Sequence, residues 1–516
     1  MRILHYNWAD YHDPAGRGGG VTVYQRSTLA AFARMEGIEA TFLSAGLAQS
    51  LRPGPPTWEA LPPVPGDPTR RFRMVDTLPL SPAHHAFGCP EQVDHGPTVE
   101  AFARFVAQEG PFDVIQFNTL EGLPASVLTL RARWPDTRFV VAMHNYYPFC
   151  PQVNLWQRER AHCADFAAGT ACVSCLPVRR NPARLRTLYG AVRTLESMGI
   201  GKGTFLYEHA LQPAVRSGVA LIRKMSDRRR AVVAEVEGPA PDAAPEHVSG
   251  AGAAFAARRH AFVAQLNAHA DSVLAVSDRT AEVARAFGVQ AERITVRRIG
   301  TDHAPLFDQT PPPAWLPAAD GTLHLAYLGY MRRDKGFFFL LQALEALPEA
   351  VAARLRVTVA AQTRDTEAVR RLQALTPKLA QLRHFEGYTR DALGMVLEGI
   401  DLGVVPVLWE DNLPQVAMEM HARRIPLLTS DRGGARELGN TSDLVFRAGD
   451  AADFQRALTR VLQGGLDLAA YWANARALDS PAQHAEALIE LYAHLLGQVA
   501  SNERARSRRT DAEPDA

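Results

Sequence analysis

Three places in the chain carry the residue types that polar chemistry needs. The segment GYMRRDKG sets Arg332, Arg333 and Lys335 between Gly329 and Gly336. Cations in a turn that follows an apolar run are suited to holding a diphosphate and to stabilising it as a leaving group. A solvated basic turn is the plainer alternative. The segment WEDNLPQVAME places Glu410 and Asp411 beside Asn412 and Pro414, with Glu419 eight residues after Asp411. Asn412 can cap a helix and Pro414 fits a first turn, which leaves backbone amides facing an anion. Asp411 is placed to accept hydrogen bonds from hydroxyls. Two carboxylates that far apart grip two parts of an extended ligand, unlike the closely facing acids of a hydrolase. The third place is His144-Asn145, at the end of the apolar run FVVAM, where an ordinary surface histidine is the competing reading.

Glycines and cysteines supply further candidates. Gly18, Gly19 and Gly20 precede a helical pattern and can let backbone amides approach an anion. Gly433-Gly434 and Glu437 form a second glycine turn with an acidic group. Cys150, Cys163, Cys172 and Cys175 are four of the chain's five cysteines. The C-V-S-C pair can place two thiolates on one metal, and Cys150 and Cys163 could complete a structural zinc site, with His162 a spare ligand. Reduced structural thiols, disulfides and an iron–sulfur cluster stay open, and Cys89 stands alone.

The elements that must position these residues alternate strand and helix. Apolar runs at 1–6, 38–44, 112–118, 139–144, 272–277 and 294–299 read as strands of one parallel sheet, and those at 323–329, 355–361, 382–386, 402–408, 426–430 and 444–446 as strands of another. Repeated alternation means parallel sheets covered on both faces, with ligands beyond the carboxyl ends of the strands. A chain of 516 residues calls for two substantial domains. The Pro-rich run 309–321 divides them, giving an α/β, doubly wound, Rossmann-like domain over 1–310 and a second over 311–480. A helix at 481–500 packs back on the first domain, and 501–516 is a disordered tail. The Pro-rich piece 51–82 reads as loop, insertion or lid. Within an insertion at 176–258, the run RKMSDRRR is a solvated helix face or an anionic-headgroup site, and 237–254 a flexible loop. Helices are expected at 258–270 and, uninterrupted, at 467–497.

With 56 Lys plus Arg against 55 Asp plus Glu, nothing in the charge argues for nucleic acid. No signal peptide or membrane span is expected, so the location reads as cytoplasmic, with peripheral attachment to the cytosolic face of a membrane left open.

The motifs from Tyr327 to Glu437 resemble those of the retaining, GT-B-fold glycosyltransferases of family 4, and the layout resembles that family over about the first 500 residues. LGYMRRDKG is similar to its donor-phosphate segment. Lys335 matches the family lysine, Tyr330 stands where an arginine is usual, and Arg332 or Arg333 is the substitute. DNLPQVAME resembles the two-acid signature: Glu419 falls on the ribose-side acid, and Asp411, or its neighbour Glu410, on the sugar-side acid. The resemblance implies two Rossmann-like domains facing across a cleft, 1–310 on the acceptor side and 311–480 holding the nucleotide-sugar donor, with donor contacts from Gly18, Gly19, Gly20, Arg332, Lys335, Glu410, Asp411, Asn412, Leu413 and Glu419. It gives His144, Lys335 and Asp411 the catalytic roles. HNYYPFCP followed by the clustered cysteines is similar to a subgroup with HDYW-like and CP segments, Asn145 replacing an aspartate. The implied reaction is transfer of a sugar from a UDP- or GDP-sugar to a hydroxyl of a glycan, lipid-linked or small-molecule acceptor, with no catalytic metal. A catalytically degenerate nucleotide-sugar-binding protein, or a phosphorylase or epimerase of the same architecture, are the competing readings.

Overall fold

The computed structural model describes residues 1–158, 160–176, 179–200, 204, 209, 249–362 and 365–510. The first domain carries strands β1 (Arg2–Asn7), β2 (Glu39–Ala48), β3 (Thr57–Ala60), β4 (Arg70–Val75), β5 (Val114–Phe117) and β6 (Arg138–Met143). A small hairpin, β7 (Trp156–Gln157) and β8 (Ala161–His162), stands on the loop that follows. Strands β9 (Ser272–Ala275) and β10 (Ile294–Val296) complete the main sheet, whose order is β10-β9-β6-β5-β1-β2-β4-β3. Among the described residues of this sheet only β3 runs antiparallel to its neighbour. VIQF, RFVVAM and SVLA are buried at every position, because helices cover both faces of the sheet.

The second domain holds β11 (Leu323–Tyr330), β12 (Leu355–Gln362), β13 (Gln381–Phe385), β14 (Leu402–Val405), β15 (Leu427–Ser430) and β16 (Val445–Phe446). All are parallel, in the order β13-β12-β11-β14-β15-β16. The two Rossmann-like sheets turn their carboxyl ends toward a common cleft. The chain then returns to the first domain: in the Pro481–Thr510 helix, Ala485, Leu488, Tyr492 and Leu495 pack with Ile3, Phe32, Val114 and Val140. Arg138 donates to the Leu495 carbonyl at 3.2 Å, tying β6 to that helix.

Four expectations need correction. The stretch 51–82 holds β3 and β4, which extend the sheet beyond β2. Its strand character is disguised by the arginines of RRFRMV: Arg71 is satisfied by Asp10 and the Pro62 carbonyl, Arg73 by Glu59, while Phe72 and Met74 enter the core. The helix expected at 258–270 begins at Ser249, within the run read as a loop. Small residues there allow close packing, since a Cβ on Gly169 would lie 2.0 Å from the Gly252 carbonyl oxygen. The helix expected over 467–497 is broken into Leu468–Asn474 and Pro481–Thr510. Residues 475–480 form the crossing, with Arg476 donating to Leu438 and Thr301 to Asp479. Finally, the tail expected to be disordered from 501 stays helical to Thr510; residues 511–516, like the basic run 223–230, lie outside the described residues.

Candidate functional site

The donor-side wall is set by glycine contacts. Gly336 lies at φ +76°, and a Cβ there would sit 1.7 Å from the Pro406 carbonyl oxygen, so the turn after β11 closes directly on the end of β14. Leu408 donates to the Asp334 carbonyl at 2.9 Å across the same seam. This packing presents Lys335 to the cleft, its ammonium 2.6 Å from Asp411 Oδ2 and 5.0 Å from the centre of the Trp409 ring. Gly433, at φ +68°, holds Asp411 from behind: an added Cβ would lie 2.1 Å from the Asp411 carbonyl oxygen. The Gly434 amide donates to that carbonyl at 2.9 Å.

Glu410 and Asp411, adjacent in sequence, have opposite fates. Asp411 faces the cleft. Glu410, 1% exposed, receives both arms of Arg279 at 2.8 and 2.9 Å, Arg432 at 3.2 Å and the Gly433 amide at 3.1 Å. Burial acts to raise its pKa, but the hydrogen bonds and charge of Arg279, with the Gly433 amide, outweigh it and hold the carboxyl at about 2. Arg279 belongs to the Asp278–Ala286 helix of the first domain, so this pair bridges the domains. Two further bridges lie beside it. Glu437 accepts from the first amides of that helix, Asp278 at 2.9 Å and Arg279 at 2.7 Å, a favourable place for an anion. The Asn412 side chain donates to the Met143 carbonyl at 2.9 Å. Asn412 is therefore an interdomain tie rather than a helix cap; Pro414 takes the cap position of the Gln415–His421 helix.

The facing wall comes from the first domain. Gly18 and Gly19 have φ of +87° and +57°, and a Cβ on Gly20 would come within 3.2 Å of Gln415 in the other domain. His144 and Tyr24 lie behind this loop with ring centres 4.6 Å apart, and the Tyr24 hydroxyl is 3.1 Å from His484 Nε2 on the returning helix. Burial, helped by His484 and His5, pushes the His144 pKa down to about 3, so the ring is neutral at physiological pH. It can exchange hydrogen bonds there but is not a stored proton source.

The His144 loop is held by groups not anticipated from the sequence. Arg258 donates to Gln92 at 2.7 Å and to the Tyr147 carbonyl at 3.0 Å, and Arg259 to the Phe149 carbonyl at 2.9 Å. Asn145 donates to Glu121 at 2.8 Å, whose other oxygen accepts from the Ala83 amide at 2.7 Å. Burial raises Glu121 to about 7 against these bonds. Apart from Asn145, which belongs to the HNYYPFCP segment, none of these residues carries a recognisable motif. Arg279 had a weak signal, an arginine just after the helix-capping Ser277 at a strand's carboxyl end.

Gly20, His144, Lys335, Asp411, Asn412 and Leu413 thus meet in one cleft of about 1030 Å³, part of it open to solvent, together with Tyr24, Tyr330 and Trp409. Gly18, Gly19, Arg332, Glu410 and Glu419 do not line it. Arg332 is turned to Asp334, at 2.7 and 3.0 Å, and Arg333 lies over the Phe338 ring. Glu419 accepts from the Tyr388 hydroxyl at 2.7 Å, and burial raises its pKa.

The expected zinc site is not assembled. All five cysteines are free thiols. Among the described residues no group of three or more His, Cys, Asp or Glu side chains is placed to hold a metal ion. Four thiolates converging at ~2.3 Å on one point are needed, whereas Cys175 takes a hydrogen bond from the Gln152 amide at 3.0 Å and Cys163 turns to the Asp165 carbonyl at 3.7 Å. Cys172 and Cys175 pack instead against Phe87 and Phe255. Burial, then neighbouring thiols, pushes Cys172 up to about 12; burial likewise lifts Cys175 to about 11. His162 Nε2 faces Glu410 at 3.8 Å.

Among the described residues no helix is long and apolar enough to cross a membrane. Residues 322–464 match the family model described as Glycosyl transferases group 1. No curated protein matches the chain. Similar solved structures include sucrose-phosphate synthase from Thermosynechococcus elongatus, 16% identical over 98% of this chain and 100% of that one, with a TM-score of 0.50. The α,α-trehalose 6-phosphate synthase from Burkholderia multivorans is 12% identical over 100% and 99%, with a TM-score of 0.52. The N-terminal domain of Candida albicans trehalose-6-phosphate phosphatase is 10% identical over 96% and 97%, with a TM-score of 0.53. At such identities the likeness is one of fold, and the fold is GT-B.

Proposed function

We propose that the chain is a glycosyltransferase that moves a sugar from a nucleotide-sugar donor to a hydroxyl of a glycan, lipid-linked or small-molecule acceptor, with the anomeric configuration retained. The observation that carries this reading is the convergence of Lys335 and Asp411, on a segment matching the group 1 family model, with His144 and Gly20 across one interdomain cleft. In this reading the donor diphosphate displaces Asp411 from Lys335, since two negative groups compete for one ammonium. Asp411, released, accepts hydrogen bonds from the sugar hydroxyls, and neutral His144 orients the sugar from the other wall. The leaving phosphate takes the acceptor proton in a front-face displacement, and Lys335 stabilises the departing charge. Closure of the cleft excludes water and limits donor hydrolysis.

A second reading, a nucleotide-sugar-binding protein without transfer activity, is favoured by one observation. Lys335 is the only Lys or Arg among the described residues lining the cleft, and it is already paired with Asp411. A screen of UDP- and GDP-sugars by calorimetry and by NMR of the products separates the two. Donor binding with turnover to a product of the same anomeric configuration supports transfer, donor binding without turnover supports the second reading, and inversion overturns the stated mechanism. Lys335→Ala should remain folded and lose turnover; unchanged turnover at subsaturating donor would remove the lysine from the phosphate role.

A further inference from the structure

The Gly20–Phe32 helix lays one face along the boundary between the domains, with Gly20, Tyr24 and Ser27 at the spacing i, i+4, i+7. Gly20 meets Gln415 at the first turn. The Ser27 hydroxyl donates to Asp302 Oδ2 at 3.1 Å, and Asp302 is bridged to Arg390 of the second domain at 2.5 Å. Between them, Tyr24 lines the cleft beside His144, and its hydroxyl reaches back to His484 Nε2 at 3.1 Å.

His484 stands where the chain passes between the domains twice. The outgoing passage at 299–302 runs beside the returning one: the Thr301 amide donates to the Asp479 carbonyl at 2.9 Å. A Cβ on Gly300 would lie 2.8 Å from the Ser480 carbonyl oxygen and 2.9 Å from His484 Cβ, so the two passages are in contact at that residue. His484 is 2% exposed and Tyr24 3%. Burial, against the Arg298 carbonyl, pushes the His484 pKa down to about 4, and a neutral imidazole keeps one nitrogen that accepts. A tyrosine hydroxyl buried this deeply needs such a partner and is left unpaired if a hydrocarbon replaces it. The rest of the returning helix does a separate job. Ala485, Leu488, Tyr492 and Leu495 sit in an apolar cluster with Ile3, Phe32 and Val114, and Tyr24 is not part of it.

We propose that His484 is a positioning residue: from the point where both interdomain passages meet, it holds Tyr24 against His144 and so keeps this wall of the cleft in register with the second domain. Its effect on turnover rests on the transferase reading; its effect on the His144 ring does not. Lys335 and Asp411, which face the donor in that reading, belong to the second domain, so losing this contact should spoil orientation more than donor binding.

The test uses the full chain and has two readouts. The first is the NMR spectrum of histidine-labelled protein without ligand, in which the His144 ring signals are identified by their loss in His144→Asn. They should move in His484→Phe and in Tyr24→Phe, and return toward the wild-type position in His484→Gln, whose amide oxygen again accepts. The second is steady-state release of nucleotide from UDP-glucose and GDP-mannose. His484→Phe and Tyr24→Phe should each lower kcat about tenfold with KM within twofold, the double variant should be no worse than either, and His484→Gln should recover to within threefold of the wild type. Leu488→Ala loosens the same helix through its apolar cluster and should lower the melting temperature while leaving kcat within twofold. The proposal is overturned if the His144 signals stay in place in both Phe variants, if KM rises while kcat holds, or if Leu488→Ala lowers kcat as far as His484→Phe does. Should His484→Phe not fold, Tyr24→Phe and His484→Gln decide by the same readouts. A wild type that turns over neither donor counts against the transferase reading, and the NMR comparison then decides the positioning of His144 by itself.

Discussion

Replacing Glu410 by Gln should open the cleft rather than damage its chemistry, and the size of the effect follows from two independent arguments. The wild-type carboxyl is held at about 2 against an ordinary 4.5. At about 1.4 kcal/mol per tenfold change in proton affinity, that corresponds to about 3 kcal/mol of stabilisation at neutral pH. The folded pKa is the depressed one, so this stabilisation is complete above 4.5 and is lost as the pH falls toward 2. Removing one partner of a buried pair costs about 3–5 kcal/mol. Arg279 is 27% exposed and can recover water, which places the cost at the lower end of that range. Both routes give about 3 kcal/mol, or roughly 100-fold in the closed-to-open equilibrium. Hydrogen exchange is the assay of choice, because the Asp278 and Arg279 amides are bonded to Glu437 across the same interface and report its opening directly. In Glu410→Gln, peptides covering 278–282 and 431–437 should exchange about 100-fold faster, while those from β5 and β12 stay unchanged. Arg279→Ala should do the same, and the double variant should add little to either single one. An acceleration below about threefold, or full additivity of the two substitutions, would show that the pair does not hold the domains together.

Other outcomes follow from single side chains. Glu121, raised to about 7, keeps its proton in the folded protein where the unfolded chain has lost it, so stability should decline between pH 4.5 and about 7. Glu121→Gln should flatten that decline in denaturant titrations; an unchanged pH profile would assign it to other groups. Gly336→Ala should cost more than about 3 kcal/mol, since the residue is at positive φ and its Cβ meets backbone, and soluble protein of wild-type melting temperature would contradict the packing described for Lys335. Exhaustive chelation should leave the melting temperature unchanged, because Cys172 and Cys175 pack against Phe87 and Phe255 and no group of three or more ligating side chains is placed on a metal among the described residues; unfolding on chelation, with stoichiometric zinc released, would restore a metal at the cysteines.

The fold was legible because a parallel strand buried on both faces writes a continuous apolar run, and runs such as RFVVAM and LGVV need no knowledge of their neighbours. Strands β3 and β4 were not, because their polar residues are satisfied by partners distant in sequence, as Arg71 is by Asp10. The same distinction runs through the cleft. Spacing could nominate Glu410, Asp411 and Asn412, but three consecutive residues at a strand's end point in different directions, and which one meets a ligand depends on what the other domain offers. Arg279 draws Glu410 away, the Met143 carbonyl draws Asn412, and Asp411 is left facing Lys335. In the proposed transferase, the acid offered to a donor is therefore selected by the first domain, although it is carried by the second. A substitution at Arg279, outside the cleft lining, should accordingly change what the cleft presents, because it releases the neighbour of Asp411 rather than Asp411 itself.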